Sequence, residues 1–342
     1  VMNIASNMLG LANAATPFGI KAIMELNRLN RRQGTATNAM VMFLAINTSG
    51  LAFLPSGVIS VRAAAGSADP AGILVTTWVA SACATVVGIS MAFLLSRLPI
   101  YAASEPGMIP LEEQETESEQ PVQEDGPGLA PPRGGTIIAW LAVAAFVAAL
   151  VLYMTRGGGE QALTVPDRLS HVVSVWLRPG LSGGLVLCGW ARGVRVYDCL
   201  VDGAKEGWDV AKRIIPYLVA ILVAVGMFRA SGGIDLLGRG LGGVTAMIGM
   251  PAEALPMAVM RPLSGSGALG VMAEILNPHG PDSFLGYMVS TFQGSTETTF
   301  YVLAVYFGAV GVKKTRHALP SCLAADLAGI LAAVFIVNLL FG

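Results

Sequence analysis

The stretch QGSTETTF (293–300) sets one carboxylate among small hydroxyl and amide side chains. Glu297 is the only charged residue in the run from 284 to 312. A carboxylate in a run this apolar is costly to bury, and such acids mark solute or ion pathways by default. Three chemistries suit Glu297: proton carrier, cation ligand, or hydrogen-bond acceptor for a solute. A structural pairing with a Lys or Arg elsewhere is the alternative. A second cluster, INTSG (46–50), brings Asn47, Thr48 and Ser49 but no acid. The two clusters would then contribute unequally, neutral polar groups from one and charge from the other.

Two Gly-rich stretches accompany these clusters. In MRPLSGSGALG (260–270), Arg261 stands before a Gly–Ser turn. There it could hold a carboxylate or phosphate through a bidentate contact. It could equally snorkel, or pair with Glu253 or Glu274. In GLANAATPFG (10–19), Asn13 and Thr16 take the places of Ser264 and Ser266, with Gly10 and Pro17 as helix breakers. Asn13, Thr16, Asn47, Thr48, Ser49, Arg261, Ser264, Ser266, Gln293, Ser295, Thr296, Glu297 and Thr298 form the candidate substrate- or ion-binding set. Asp326, in the last apolar stretch, is a weaker candidate, since an acid one turn into a helix is more often at the interface than in a pathway.

No catalytic chemistry competes with this. GSGALG is not a nucleophile elbow with an acid and a His in reach, and the GxGxxG-like run Gly265, Gly267, Gly270 follows no strand. The histidines at 171, 279 and 317 are scattered, and Cys83, Cys188, Cys199 and Cys322 form no CxxC pair. No enzyme activity, cofactor or zinc or haem site is expected. Three of the cysteines lie in apolar runs and read as small buried hydrophobes.

The elements that must position these residues follow from composition. Of 342 residues, 54% are hydrophobic and 13% charged, against about 25% charged in an average soluble domain. Mean hydropathy is +0.64. These values exclude a soluble enzyme and a disordered chain, and a net charge of −1 offers no field for nucleic acid. The expected fold is all-α, a polytopic helical protein with the lipid bilayer as partner. Apolar stretches at 39–61, 72–96, 136–154, 172–190, 214–230, 234–250, 283–310 and 320–341 are candidate spans. Residues 101–135, rich in Glu, Pro and Gln, read as a solvated acidic linker. GAKEGWDVAKRI (203–214) reads as an interfacial amphipathic helix, with Pro216 starting the next span. Counting crossings puts Arg28, Arg31, Arg32, Arg97 and Arg133 on one side, with Arg62 and the Lys313–Lys314–Arg316 cluster opposite. The linker side leans cytoplasmic.

The polar clusters fall into a repeat. Residues 7–26, 40–62 and 72–96 run in the same order as 260–276, 287–311 and 320–341. Each set has a Gly-rich polar stretch entering a short helix, a long span interrupted by small polar residues, and a plain apolar helix. Irregular backbone at membrane depth must be buried in protein or line a wet cavity. Paired interrupted segments in two halves point to a transporter-type site. Residues 7–26 and 260–276 are therefore expected to be re-entrant or broken elements meeting near the membrane centre.

The strings GLANAATPFGIKAIMELNRLN, FLAINTS and PSGVISVRAA resemble spore maturation protein A. GAKEGWDVAKRIIPYLVAILVAVGMFRASGGID, PAEALPMAVMRPLSGSGALG, QGSTETTFYVLAVYFGAVGVKK and ADLAGILAA resemble spore maturation protein B. The resemblance implies an A–B fusion of nucleoside-recognition, or Gate, domains, a wider group that includes the gate region of ferrous iron transporter B and is related to concentrative nucleoside transporters. It divides the chain into a partial A-type Gate domain (1–100), the linker (101–135), and a linking span with a B-type Gate domain (136–342). The A half lacks the opening amphipathic helix and spans of a full A-type half, which suggests a missing N-terminal piece. The implied protein is multi-pass in the cytoplasmic (inner) membrane. It would bind or move a small polar solute, nucleoside-like or a carboxylate, with H+ or Na+ coupling, as a homo-oligomer or beside a related Gate protein. The alternative is a non-transporting membrane scaffold that keeps the Gate fold.

Overall fold

The computed structural model describes residues 2–8, 15–50, 52–107, 134–156, 177–233 and 247–342, with scattered positions between 236 and 245. Among the described residues the chain is helical and has no strand. Three helices among the described residues are long and apolar enough to cross a membrane: Leu74–Ser96, Gly135–Leu152 and Ala318–Phe341. The chain divides into two compact units, Val1–Ile109 with Val210–Gly342, and Pro110–Asp209.

The second unit is simple. Helix α7 (Gly135–Arg156) packs on α8 (Leu177–Ala191), where the absent side chain of Gly180 admits the Phe146 ring. Ile137, Trp140 and Leu141 project outward, as expected of a lipid-facing helix.

The first unit contains the repeat. Its first half comprises α1 (Met2–Met8), α2 (Ala15–Arg28), α3 (Asn38–Thr48), α4 (Ser56–Ala64) and α5 (Leu74–Ser96), followed by the short α6 (Pro99–Ala102). Its second half comprises α10 (Leu255–Leu263), α11 (Gly265–His279), α12 (Phe284–Ser295), α13 (Thr299–Ala309) and α14 (Ala318–Phe341). The span expected at 39–61 is two helices, α3 and α4, and that at 283–310 is α12 and α13. Small polar residues explain both interruptions. Ser49 donates to Ile46 O at 2.8 Å and Ser295 to Phe292 O at 3.3 Å, local bonds that compete with helical backbone. Gly50, at φ +55, turns the chain where an L side chain is disfavoured.

The uninterrupted helices α5 and α14 lie against each other along small-residue stripes. On α5 the buried face is Thr77, Ser81, Ala84, Gly88 and Ala92, and on α14 it is Cys322, Ala325, Asp326, Gly329 and Ala333. Small residues at this spacing let two backbones approach within a membrane. A methyl on Gly88 would touch Ala325 at 3.0 Å, and one on Gly329 would meet Ala84 at 3.2 Å.

The halves run in opposite directions. The loop before α3 meets the residues after α13: Lys313 N–H donates to Gly34 O at 2.9 Å, and Ala36 N–H to Lys314 O at 2.9 Å. At the other end, Arg62 at the close of α4 donates to Pro281 O at 2.6 Å and Asp282 Oδ1 at 2.8 Å, beside the start of α12. Thus α3–α4 and α12–α13 cross the unit antiparallel. Two arginines clasp the ends. Arg316 donates to Asn38 Oδ1 at 2.9 Å and Ala36 O at 3.1 Å, and also bonds Glu105 and the Tyr101 carbonyl.

Several expectations change here. Lys313, Lys314 and Arg316 sit with the 29–37 loop, not with Arg62, because α12–α13 crosses the unit opposite to α3–α4, which a count of the apolar stretches between them does not give. Residues 101–107 are held by Arg316 and so are not free linker, and 108–133 lie outside the described residues. Helix α9 (Val196–Ala230) is continuous through Pro216, so the amphipathic segment and the following span are one helix. Of the cysteines only Cys322 is buried, and Cys83, Cys188 and Cys199 are exposed. In a membrane protein an apolar run faces lipid as readily as core. The candidate span 172–190 begins, and 234–250 mostly lies, outside the described residues.

Candidate functional site

The two interruptions cross at the middle of the first unit. Glu297 N–H donates to Thr48 O at 2.7 Å, joining one break to the other. A Cβ on Gly50 would sit 2.9 Å from the Thr296 carbonyl carbon. The breaks therefore touch backbone to backbone, and Gly50 is required there for space as well as for φ.

A third interruption reaches the same place. Helices α10 and α11 are separated by Ser264 in extended conformation, φ −154 and ψ 118, and its hydroxyl accepts from Gly267 N–H at 3.0 Å as the cap of α11. Both helices begin or end on the side where Asn338 of α14 donates to Gly249 O at 3.0 Å, so they form a re-entrant hairpin. The tip of this hairpin meets the α12–α13 break. Arg261 donates through Nη1 to Thr298 Oγ1 at 3.0 Å and through Nε to Phe292 O at 3.3 Å. The residue is 3% exposed, which excludes snorkelling. Both Glu297 and Asp326 act electrostatically on its guanidinium.

Asp326 is the residue that sequence reasoning placed wrongly. It is 1% exposed and accepts from the Thr299 hydroxyl at 2.6 Å. Helix α14 starts at Ala318, so Asp326 lies two turns inside it, facing the breaks. The usable signal was its register. Asp326 follows Cys322 by four residues and precedes Gly329 by three on the small-residue stripe.

The other candidate residues divide by place. Thr48, Ser49, Ser295, Thr296 and Thr298 are buried at the crossing, and Glu297 is half-buried there. Thr85 donates to Ser49 Oγ at 3.0 Å, and Ser295 donates to Phe292 O at 3.3 Å. Gln293 Oε1 is buried with no hydrogen-bond partner among the described residues. Asn47 turns toward α1, accepting from Asn7 at 3.0 Å and donating to Phe43 O at 2.8 Å. Phe53 N–H bonds Met8 O at 2.8 Å, so the end of α1 also reaches the first break. Thr16 is buried in the first turn of α2, whereas Ser266 is exposed on α11. Asn13 lies outside the described residues.

Helix ends give the crossing its polarity. The C-terminal ends of α3 and α12 arrive from opposite directions, and the N-termini of α11 and α13 begin beside Arg261. C-terminal ends favour cations and N-terminal ends favour anions. One buried centre thus offers both kinds of surface.

Comparison with known proteins adds the lineage. A nucleoside-recognition (Gate) family model matches residues 211–313. Spore maturation protein B of Bacillus subtilis is 48% identical over 170 residues, covering 50% of this chain and 96% of that protein. Spore maturation protein A of the same organism is 44% identical over 72 residues, 21% of this chain and 37% of that protein's length. The inner membrane protein YjiG of Escherichia coli K12 is 31% identical over 81 residues, 23% of this chain and 53% of that protein. No solved structure matches. This chain therefore belongs to the spore maturation protein B family of multi-pass Gate-domain membrane proteins, and it carries in addition a segment similar to spore maturation protein A.

Proposed function

We propose that this protein binds a small polar solute at the crossing of its interrupted helices and moves it across the cytoplasmic membrane. The observation that carries this is Arg261, buried at the tip of a re-entrant hairpin and bonded to Thr298 at the end of the α12–α13 break and to the Phe292 carbonyl in the last turn of α12. A buried guanidinium beside two helix N-termini suits a carboxylate better than an uncharged solute. The nucleoside-recognition description of the matched family keeps nucleoside-like solutes as the second class to test. Residues 1–100 and 136–342 serve in this reading as A-type and B-type halves of one transporter-like protein.

Antiparallel interrupted repeats with a site at their crossing are the arrangement expected for alternating access. Two oppositely directed halves can expose one centre to either side by rocking against each other. Glu297, half-buried beside Arg261, is the candidate carrier for coupling to H+ or Na+. The cationic side chains Arg31, Arg32, Lys313, Lys314 and Arg316 gather at the end of the unit from which residues 101–107 lead into the linker. That end is cytoplasmic in this reading.

Uptake into proteoliposomes tests the proposal. Radiolabelled small carboxylates and nucleosides are offered under inward Na+ or H+ gradients, with protein-free liposomes as control. Uptake of at least one solute, lost in Arg261→Gln, is expected. If no solute is taken up and none binds, the chain acts as a non-transporting scaffold.

A further inference from the structure

Three buried oxygens at the crossing have no hydrogen-bond partner among the described residues: Thr48 Oγ1, Thr296 Oγ1 and Asp326 Oδ1. Their residues are 0%, 2% and 1% exposed. Buried polar atoms are normally satisfied, so three orphans in one place call for an occupant. They surround one stretch of α14. Thr299 holds the other Asp326 oxygen at 2.6 Å. Thr296 lies over Gly329, where an added Cβ would come within 2.6 Å of its methyl carbon. The Thr48 side chain meets the Cys322 thiol, one turn before Asp326.

Water could answer the missing hydrogen bonds but not the charge. Among the described residues Arg261 is the cation that acts on both Glu297 and Asp326. One positive group against the buried Asp326 and the half-buried Glu297 leaves a negative charge that a bound proton or cation balances. The C-terminal ends of α3 and α12 add partial negative charge at the same point. No cluster of three His, Cys, Asp or Glu exists among the described residues, so a zinc-type donor set is not available. One carboxylate with two hydroxyls, next to unwound helix ends, suits a hard monovalent ion.

We propose that Asp326, Thr296 and Thr48 form a binding site for an alkali cation, Na+, on the helix-C-terminal side of the crossing. Thr299 positions the carboxylate by holding its second oxygen. The site's part in transport rests on the solute-binding reading above. Its occupancy does not, because Arg261, which carries that reading, is not among its ligands.

The test therefore uses no solute. The full chain in detergent is melted while NaCl replaces choline chloride at constant ionic strength and pH. A saturable rise in Tm with Na+ is expected, since a ligand that binds only the folded state stabilises it. Asp326→Asn should lose the response. Thr296→Val should raise the half-saturating Na+ concentration by about tenfold or more, and Thr296→Ser should restore it. Should Asp326→Asn not fold, the Val and Ser pair decides alone. Equal melting of the wild type in NaCl and choline chloride overturns the site, as does an unchanged Na+ response in Thr296→Val. A Na+ response without solute binding would overturn the solute reading and leave the cation site standing. Solute binding with indifference to Na+ would do the reverse.

Discussion

The backbone N–H of Glu297 donates to the carbonyl of Thr48 across 2.7 Å, although 249 positions separate the two residues. This bond ties the interruption of one helix to that of its antiparallel counterpart. It satisfies two backbone groups that lipid could not satisfy, and it explains why both breaks occur at the same depth.

Gly50 is the residue this contact depends on. Its φ is +55, and an added Cβ would lie 2.9 Å from Thr296 C and 3.0 Å from Glu297 N. Gly50→Ala should lower stability by about 2–4 kcal/mol, through strain and forced separation of the breaks. Gly57, on α4 with nothing within 4 Å, is the control, and Gly57→Ala should be neutral or slightly stabilising. Denaturation midpoints of both variants in detergent check the ranking. Equal effects would contradict the backbone contact.

The Arg62 clasp should matter more from the arginine side than from the aspartate side. Arg62 is fully buried and reaches Pro70 O, Pro281 O, Ser290 Oγ and Asp282. The Asp282 side chain is 35% exposed, so water can replace part of its role. Arg62→Met should cost about 3–5 kcal/mol, from stranded carbonyls and a buried pair broken at its cation. Asp282→Asn should cost about 1 kcal/mol. Melting of the two variants side by side would reveal a reversed order if Asp282 were the anchor.

His317 gives a pH signature outside the spans. Burial, and then the neighbouring Arg316, push its imidazole from 6.5 down to about 4. The native protein therefore favours the neutral ring. The unfolded chain binds the extra proton first, so the contribution is complete above about pH 6.5 and is lost as pH falls toward 4. The slope over that window is at most about 1.4 kcal/mol per pH unit. Thermal melts across it should show the wild type losing stability relative to His317→Gln as pH falls. Parallel curves would show that another group titrates.

Glu297→Gln should fold. The contact across the breaks uses the Glu297 backbone, and the amide is close to isosteric while avoiding a charge. Stability within about 1 kcal/mol of wild type is expected, with any dependence of uptake on a coupling-ion gradient lost. Unchanged coupling would assign Glu297 to structure.

The sequence announced more of this architecture than of its handedness. The small-polar interruptions at 46–50 and 293–299 were legible, because amide or carboxylate side chains cluster there with hydroxyls and Gly. The order of the repeat could be read from the same residues. Its inversion could not, since that depends on the number of crossings between the halves, which the short apolar stretches at 172–190 and 234–250 do not fix. This is why Lys313, Lys314 and Arg316 were assigned to the wrong side. Asp326 was missed because local hydropathy cannot separate an acid near a helix end from one facing a buried stripe. Arg261 was seen, but its partners could not be chosen, since Thr298 and Phe292 come close only after α10–α11 folds back on the α12–α13 break.

The central claim is that the crossing binds a solute through Arg261. The most direct measurement is a thermal-shift titration in detergent of small carboxylates and nucleosides against wild type and Arg261→Gln. At a hundredfold excess over Kd a bound solute stabilises by about 2.7 kcal/mol. The account predicts saturable stabilisation of the wild type by at least one carboxylate, with affinity reduced at least about tenfold in Arg261→Gln. No stabilisation by any solute, or equal stabilisation of both proteins, would contradict it.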